Sequence, residues 1–200
     1  MSKGYKNIKY LSDRVLSALL TLLLCPLLII ISIIIKLDSS GPVLFQQRRI
    51  GKDNREFQIY KFRTMRTDAP KDAPTHLLGN PDAYITKIGR FLRKSSLDEL
   101  PQLLNILKGE MSFIGPRPAL WNQYDLIEAR KENGADKLRP GITGWAQVNG
   151  RDELPVLVKA DYDGQYAQRV SFGMDIRILF RTFFHVLTSK GVSEGGPKKK

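Results

Sequence analysis

Apolar residues crowd the start of this chain and then thin into periodic patterns. From Val15 to Ile35 there are 21 consecutive residues without a charge, enough helix to cross a hydrocarbon core of about 30 Å. Residues 1–14 carry Lys3, Lys6, Lys9 and Arg14 and have no apolar run. A cleaved leader would have a shorter apolar region ending in small residues, and Ile29 to Ile35 offers none. The far flank is basic too, with Lys36, Arg48, Arg49 and Lys52, so both flanks prefer the cytoplasmic side. Cys25-Pro26 lies at the middle of the run, where proline removes a backbone donor and bends a helix. The pattern predicts a bent, re-entrant membrane helix over residues 1–40. A plain span with a proline kink is the other arrangement it allows.

Downstream the pattern turns to strand. Val43 to Arg49 and Glu56 to Met65 are rich in β-favouring residues and flank a turn carrying Gly51, Asp53 and Asn54, which predicts a hairpin. Phe57, Ile59, Lys61 and Arg63 then share one face. Thr67 to Ala83 carries Pro70, Pro74 and Pro81 among aspartates and reads as a polar loop, either a cover over a site or a solvated connection. Helical spacing returns over Thr86 to Lys94, and again through Leu97, Leu100, Leu103, Leu104 and Leu107, with Gly109 placed to end that helix. Ala119 to Glu132 reads as a helix and Gly144 to Arg151 as a short strand closing on Asn149-Gly150. Ser171 reads as the cap of a last helix over Phe172 to Leu187. Arg177, Arg181 and His185 recur there every four residues, a stripe suited to lipid head groups or to plain solvation. Together these give an α/β (α+β) fold, mostly helical with a small β-hairpin. The N-terminal re-entrant membrane helix and interfacial amphipathic helices complete it; residues 41–192 form the main domain and residues 193–200 a disordered tail.

Charge narrows the partners. There are 32 Lys and Arg against 20 Asp and Glu, a net +12, so an anionic partner is expected: nucleic acid, anionic lipid or a phosphorylated substrate. Cys25 is the single cysteine and His76 and His185 the only histidines, which excludes an internal disulfide and a cysteine-based zinc cluster. No phosphate-loop, dinucleotide, zinc-protease or nucleophile-elbow motif appears. Nor does a nucleic-acid-binding module, and the apolar run argues against one.

Candidate chemistry concentrates between Arg90 and Pro118. Asp98 and Glu99 stand at the start of a predicted helix, with Arg90, Arg93 and Lys94 before them and Arg117 after. Capping explains the pair well: Ser96 and Glu99 have capping-box spacing, or Asp98 instead caps a helix whose first turn takes Pro101. The surrounding cations give a second reading, a phosphate site whose carboxylate attacks phosphorus. Lys61 and Arg63 are either solvated or part of that site. Arg117, between Pro116 and Pro118, is presented from a stiffened loop, as phosphate recognition favours.

Several long motifs occur in order: Tyr60 to Met65, Gly89 to Lys94, Ser96 to Leu103, Gly115 to Pro118 and Arg139 to Arg151. They resemble the bacterial sugar transferases, and more narrowly the small monotopic phosphoglycosyl transferases. The resemblance implies transfer of a sugar phosphate from a UDP-sugar to undecaprenyl phosphate, giving undecaprenyl-diphosphate-sugar and UMP, as the first membrane step of a surface glycan. It makes Asp98 the nucleophile, through an aspartyl phosphosugar intermediate, and Glu99 its acid/base partner. Lys61, Arg63, Arg90, Arg93 and Arg117 then bind substrate phosphates, and Cys25 and Pro26 mark the break in the membrane helix. Mg²⁺ is the expected cofactor, held by Asp98, since a diphosphate attacked by a carboxylate needs its charge offset. The implied location is the cytoplasmic face of a bacterial inner membrane. Membrane lipids are expected partners, with downstream glycosyltransferases and a second copy of the chain as further candidates. Cys25 stands where many relatives carry serine, and Glu110 where aspartate is common. A non-catalytic basic adaptor at the membrane surface is the alternative from another class. The residues do not name the sugar.

Overall fold

A computed structural model of the chain describes residues 3–70, 81–150 and 154–187. Most of the Thr67 to Ala83 loop, including His76, lies outside the described residues, as do Arg151, Asp152 and the tail. The predicted membrane helix is α1 (Lys3–Asp38), 36 residues with Pro26 inside it, about 54 Å long at 1.5 Å per residue. Proline does not end it. By length and composition α1 is apolar enough to cross a membrane.

One stripe of α1 faces the rest of the protein along most of its length. Lys9, Asp13, Ser17, Ile31 and Ile35 are buried on it, and Thr21, Leu24, Leu28 and Ser32 are partly buried between them. The spacing is that of a helix face. Leu22, Leu23, Ile29, Ile30 and Ile33 on the other faces are exposed.

The predicted hairpin forms as β1 (Leu44–Ile50) and β2 (Glu56–Phe62), antiparallel. Its turn places Asp53 and Asn54 at positive φ, a conformation their short polar side chains tolerate better than most. A third strand, β4 (Ala119–Leu120), pairs with the other edge of β1, leaving β2 at the sheet edge. Two short parallel strands, β3 (Ser112–Ile114) and β5 (Gly141–Thr143), form a second sheet.

The helices are α2 (Lys87–Lys94), α3 (Gln102–Lys108), α4 (Tyr124–Glu132), α5 (Val156–Arg169) and α6 (Phe172–Leu187). α2 is capped by Thr86, whose hydroxyl accepts from the Gly89 N–H, and α3 ends at Gly109 with φ 83° as predicted. Ser171 Oγ accepts from the Met174 N–H at the start of α6. Two of the predicted elements need correction, and one helix escaped prediction. The helix expected from Ala119 begins only at Tyr124, because Ala119-Leu120 pair with β1. The strand expected over Gly144 to Arg151 is displaced to Gly141–Thr143, and Gln147–Asn149 make a 3₁₀ turn. α5 was not predicted at all.

The main core packs Ile114, Leu138, Val148, Tyr166 and Ile178 between β3, α5 and α6. A second cluster joins Ile31 and Ile35 of α1 to Phe62 and Leu92. The C-terminal part of α1 thereby contributes to the domain's core through Ile31 and Ile35.

Candidate active site

The acid pair does not sit on a regular helix. Leu97–Glu99 is a single 3₁₀ turn that leads through Leu100 and Pro101 into α3, and Ser96 before it has φ 57°. A left-handed serine costs roughly 1–2 kcal/mol, and the predicted capping box is not formed, since Ser96 makes no side-chain cap. Residues held in such sparse backbone regions gather at functional sites. Of the two readings open from the residues, capping loses its support.

Three packing devices place cations around this turn. Asn105 on α3 bonds the open edge of β2, accepting from the Tyr60 N–H at 3.0 Å and donating to the Gln58 carbonyl at 2.7 Å. That side chain stands in for a missing strand and fixes Lys61 beside the turn. Glu110 holds Asn105 in turn, accepting from its Nδ2 at 2.7 Å. α2 lies so close to β2's extension that any side chain at Gly89 would strike the Thr64 backbone. In that position Arg93 Nε donates to Thr64 Oγ1 at 2.8 Å. The Arg117 loop is clipped on both sides: Gly115 N–H to Thr143 O, Gly141 N–H to Pro116 O, and Arg49 Nη1 to Pro118 O, each 2.9 Å.

Lys61 Nζ lies 2.7 Å and Arg117 Nη2 3.2 Å from the same oxygen of Glu99, Oε1. Burial pushes the Glu99 carboxyl up, but the charges and hydrogen bonds of Lys61 and Arg117 outweigh it and hold it well below the usual carboxylate range. A carboxylate held so low is a weak proton acceptor. Asp98 behaves differently. It is 9% exposed, and its carboxylate takes no hydrogen bond among the described residues. Burial and then the neighbouring Glu99 charge raise it, against Lys61, Arg93 and Arg117, and the net shift is upward.

The structure thus brings Asp98, Glu99, Lys61, Arg93 and Arg117 together. Arg63 does not join them: it is 4% exposed, and its guanidinium donates to the carbonyls of Ser40 at 2.5 Å and Ser39 at 2.6 Å. It ties down the end of α1, where a cation also suits the helix dipole. Arg90 is exposed on α2 and is not among the cations acting on Asp98. Cys25 is exposed on α1. Arg177 and Arg181 of α6 lie over the Trp145 ring, 5.3 and 5.0 Å from its centroid, so these two cations of the stripe are stacked rather than simply solvated.

Among the described residues no group of three or more His, Cys, Asp or Glu side chains could hold a metal. Magnesium does not require such a group, because it keeps water and takes phosphate oxygens alongside one or two carboxylates. The Asp98 carboxylate, which takes no hydrogen bond among the described residues, fits that demand.

A second buried carboxylate cluster, invisible to motif reading, joins α1 to α6. Asp175 accepts from Tyr5 Oη at 2.8 Å, Tyr166 Oη at 2.6 Å and Lys9 Nζ at 2.8 Å. Asp13 accepts from Ser112 Oγ at 2.5 Å. The available signal was the four-residue spacing of Lys9, Asp13 and Ser17, a polar stripe running into an apolar helix.

The family model described as bacterial sugar transferase matches residues 4–189. The UDP-glucose:undecaprenyl-phosphate glucose-1-phosphate transferase of Escherichia coli (strain K12) is 42% identical over 192 residues, 92% of this chain and 41% of that protein. The UDP-N-acetylgalactosamine-undecaprenyl-phosphate N-acetylgalactosaminephosphotransferase of Aeromonas hydrophila is 38% identical over 192 residues, 94% of this chain and 45% of that protein. The chain spans less than half the length of these two relatives. It spans 88% of the uncharacterized sugar transferase EpsL of Bacillus subtilis (strain 168), to which it is 42% identical over 181 residues, 90% of this chain.

Proposed function

Since this chain belongs to the bacterial sugar transferase family, we propose that it moves a sugar phosphate from a UDP-sugar to undecaprenyl phosphate through a covalent intermediate on Asp98. The observation that carries the reading is the Asp98 carboxylate, buried and unbonded among the described residues beside cations that Glu99 holds in place. An Asp98 oxygen attacks the phosphorus bearing the sugar, and the bond from that phosphorus to UMP breaks, the electron pair leaving with UMP. A phosphate oxygen of the acceptor then attacks the same phosphorus and Asp98 departs, giving undecaprenyl-diphosphate-sugar. A phosphate monoester is largely dianionic at neutral pH, with a second pKa of about 6, so this attack needs no base. Glu99 therefore serves to hold Lys61 and Arg117 where phosphate charge develops, with Arg93 supporting them. Asp98 would also hold Mg²⁺, which when bound offsets diphosphate charge.

The test is UMP release from UDP-sugars in the presence of magnesium and undecaprenyl phosphate, in the parent and in Asp98→Asn. Release should fall by about 10⁴-fold or more in the variant. Undiminished release removes the nucleophile assignment.

The re-entrant arrangement of α1 has support of its own. Near its start Tyr5 and Lys9 bond Asp175, while just past its end Ser39 and Ser40 bond Arg63. A simple span would carry its ends to opposite faces of a core about 30 Å thick, yet both ends dock on one domain. Phe180, Phe183 and Phe184 of α6, 60–63% exposed, suit immersion at the same interface. That face is the cytoplasmic one, where a soluble nucleotide sugar and a lipid phosphate meet. Cysteines introduced at Asn7 and Ser40 in a Cys25→Ser background should both resist an impermeant thiol reagent added to intact cells. Labelling of one alone restores the ordinary span.

A further inference from the structure

A cavity of about 320 Å³ lies between α1 and the domain. Its wall includes Thr21, Leu28 and Ser32 of α1, Phe62 at the end of β2, and Leu100 and Leu103 at the start of α3. Both hydroxyl side chains in this wall are turned back into their own helix: Thr21 Oγ1 donates to the Ser17 carbonyl at 2.7 Å and Ser32 Oγ to that of Leu28 at 2.6 Å. The wall is thereby left almost wholly apolar. Water needs two to four polar partners to settle in such a space, whereas hydrocarbon needs none.

From this we infer that the cavity holds the first isoprenyl units of the acceptor lipid and thereby fixes the approach of its phosphate to Asp98, an inference that rests on the transfer reading above. Two features select this occupant over a phospholipid acyl chain. Leu100, in the wall, closes the turn that carries Asp98, and Phe62, also in the wall, follows Lys61, so one end of the cavity adjoins the cation cluster where the acceptor phosphate must react. A phospholipid seated the same way would set its head group on the reacting carboxylate. The other side of the cavity is α1, whose remaining faces expose Leu22, Leu23 and Ile29, giving the rest of a long prenyl chain a continuous apolar path into the bilayer.

The test separates the two half-reactions. Single-turnover UMP release without acceptor reports the donor step alone, and steady-state turnover against undecaprenyl phosphate reports the acceptor step. Ser32→Phe, which fills the cavity from α1, should raise the acceptor KM about tenfold or more while the UMP burst stays at the parent level. An unchanged acceptor KM with an intact burst overturns the assignment of the cavity. Absence of a burst in the parent itself overturns the transfer reading instead. Because a large side chain can disturb packing, a second measurement uses the parent: a short prenyl phosphate with a photoreactive diazirine in its second isoprene unit. Labelling should fall on peptides containing Leu28 or Leu103 and be competed by undecaprenyl phosphate but not by phosphatidylglycerol vesicles. Labelling elsewhere, or equal competition by phosphatidylglycerol, overturns the assignment.

Discussion

Asp98 and Asp175 are both buried, at 9% and 5% exposure, and both have cations near them. They differ in what fills their oxygens. Asp175 accepts from two tyrosines and Lys9, so its lone pairs are committed to joining α1 to α6. The Asp98 carboxylate takes no hydrogen bond among the described residues, although Lys61 and Arg117 stand close enough to bond its neighbour Glu99. A carboxylate whose acceptor sites are filled is an anchor, and one left open among cations is available to a ligand. Burial alone does not separate the two kinds.

The largest effect that could break this contrast is on activity. Asp98→Asn should lose the transfer reaction while unfolding no more readily than the parent. Its carboxyl is pushed up by burial and by Glu99, so its ionised form destabilises the fold at every pH above the ordinary aspartate value of about 3.9, and asparagine removes that cost. Thermal unfolding in detergent checks it, and a large loss of stability would make Asp98 an anchor like Asp175.

The converse substitution is next in size. Asp175→Ala leaves Lys9 and two tyrosine hydroxyls without their acceptor, which costs about 3–5 kcal/mol for a broken buried ion pair. The UMP burst per folded molecule should persist, because the Asp98 turn and α3 are held by Asn105 and Ser17 instead. A variant that unfolds like the parent but loses the burst would move Asp175 into the catalytic machinery.

The two clusters also differ in how well the chain announces them. The hairpin, α2, α3 and α6 were legible because each combines a periodic apolar pattern with a local punctuation mark: Asp53-Asn54, Thr86, Gly109 or Ser171. Asp98, Glu99, Arg93 and Arg117 were legible as candidates because acids and cations crowd the stretch from Arg90 to Pro118, and Lys61 because it stands on one face of the predicted hairpin. What was not legible is which cation meets which acid. Arg63 and Lys61 are two residues apart on one predicted strand face, yet β2 ends at Phe62 and Arg63 turns to the end of α1. α5 escaped because it carries Gly164 and Asp163 on its buried side, where Asp163 bonds Arg130 at 2.6 Å rather than presenting an apolar stripe. Long-range partners of this kind leave no mark on local spacing.

The smallest effect concerns Glu99 and carries a definite sign in pH. Lys61 and Arg117 hold its carboxyl well below the usual range despite burial. A depressed acid stabilises the fold above its unfolded pKa of about 4.3 and loses that contribution as pH falls towards the folded value. Glu99→Gln should therefore cost about 1–2 kcal/mol near neutral pH, in the range for hydrogen bonds to charged groups on a partly exposed pair. The difference from the parent should shrink as pH drops below about 4. Making the comparison in an Asp98→Asn background, without magnesium, leaves no neighbouring carboxyl to titrate. A pH-independent difference would mean that Glu99 is held by shape rather than by charge, and Lys61 and Arg117 would then need another reason to stand beside Asp98.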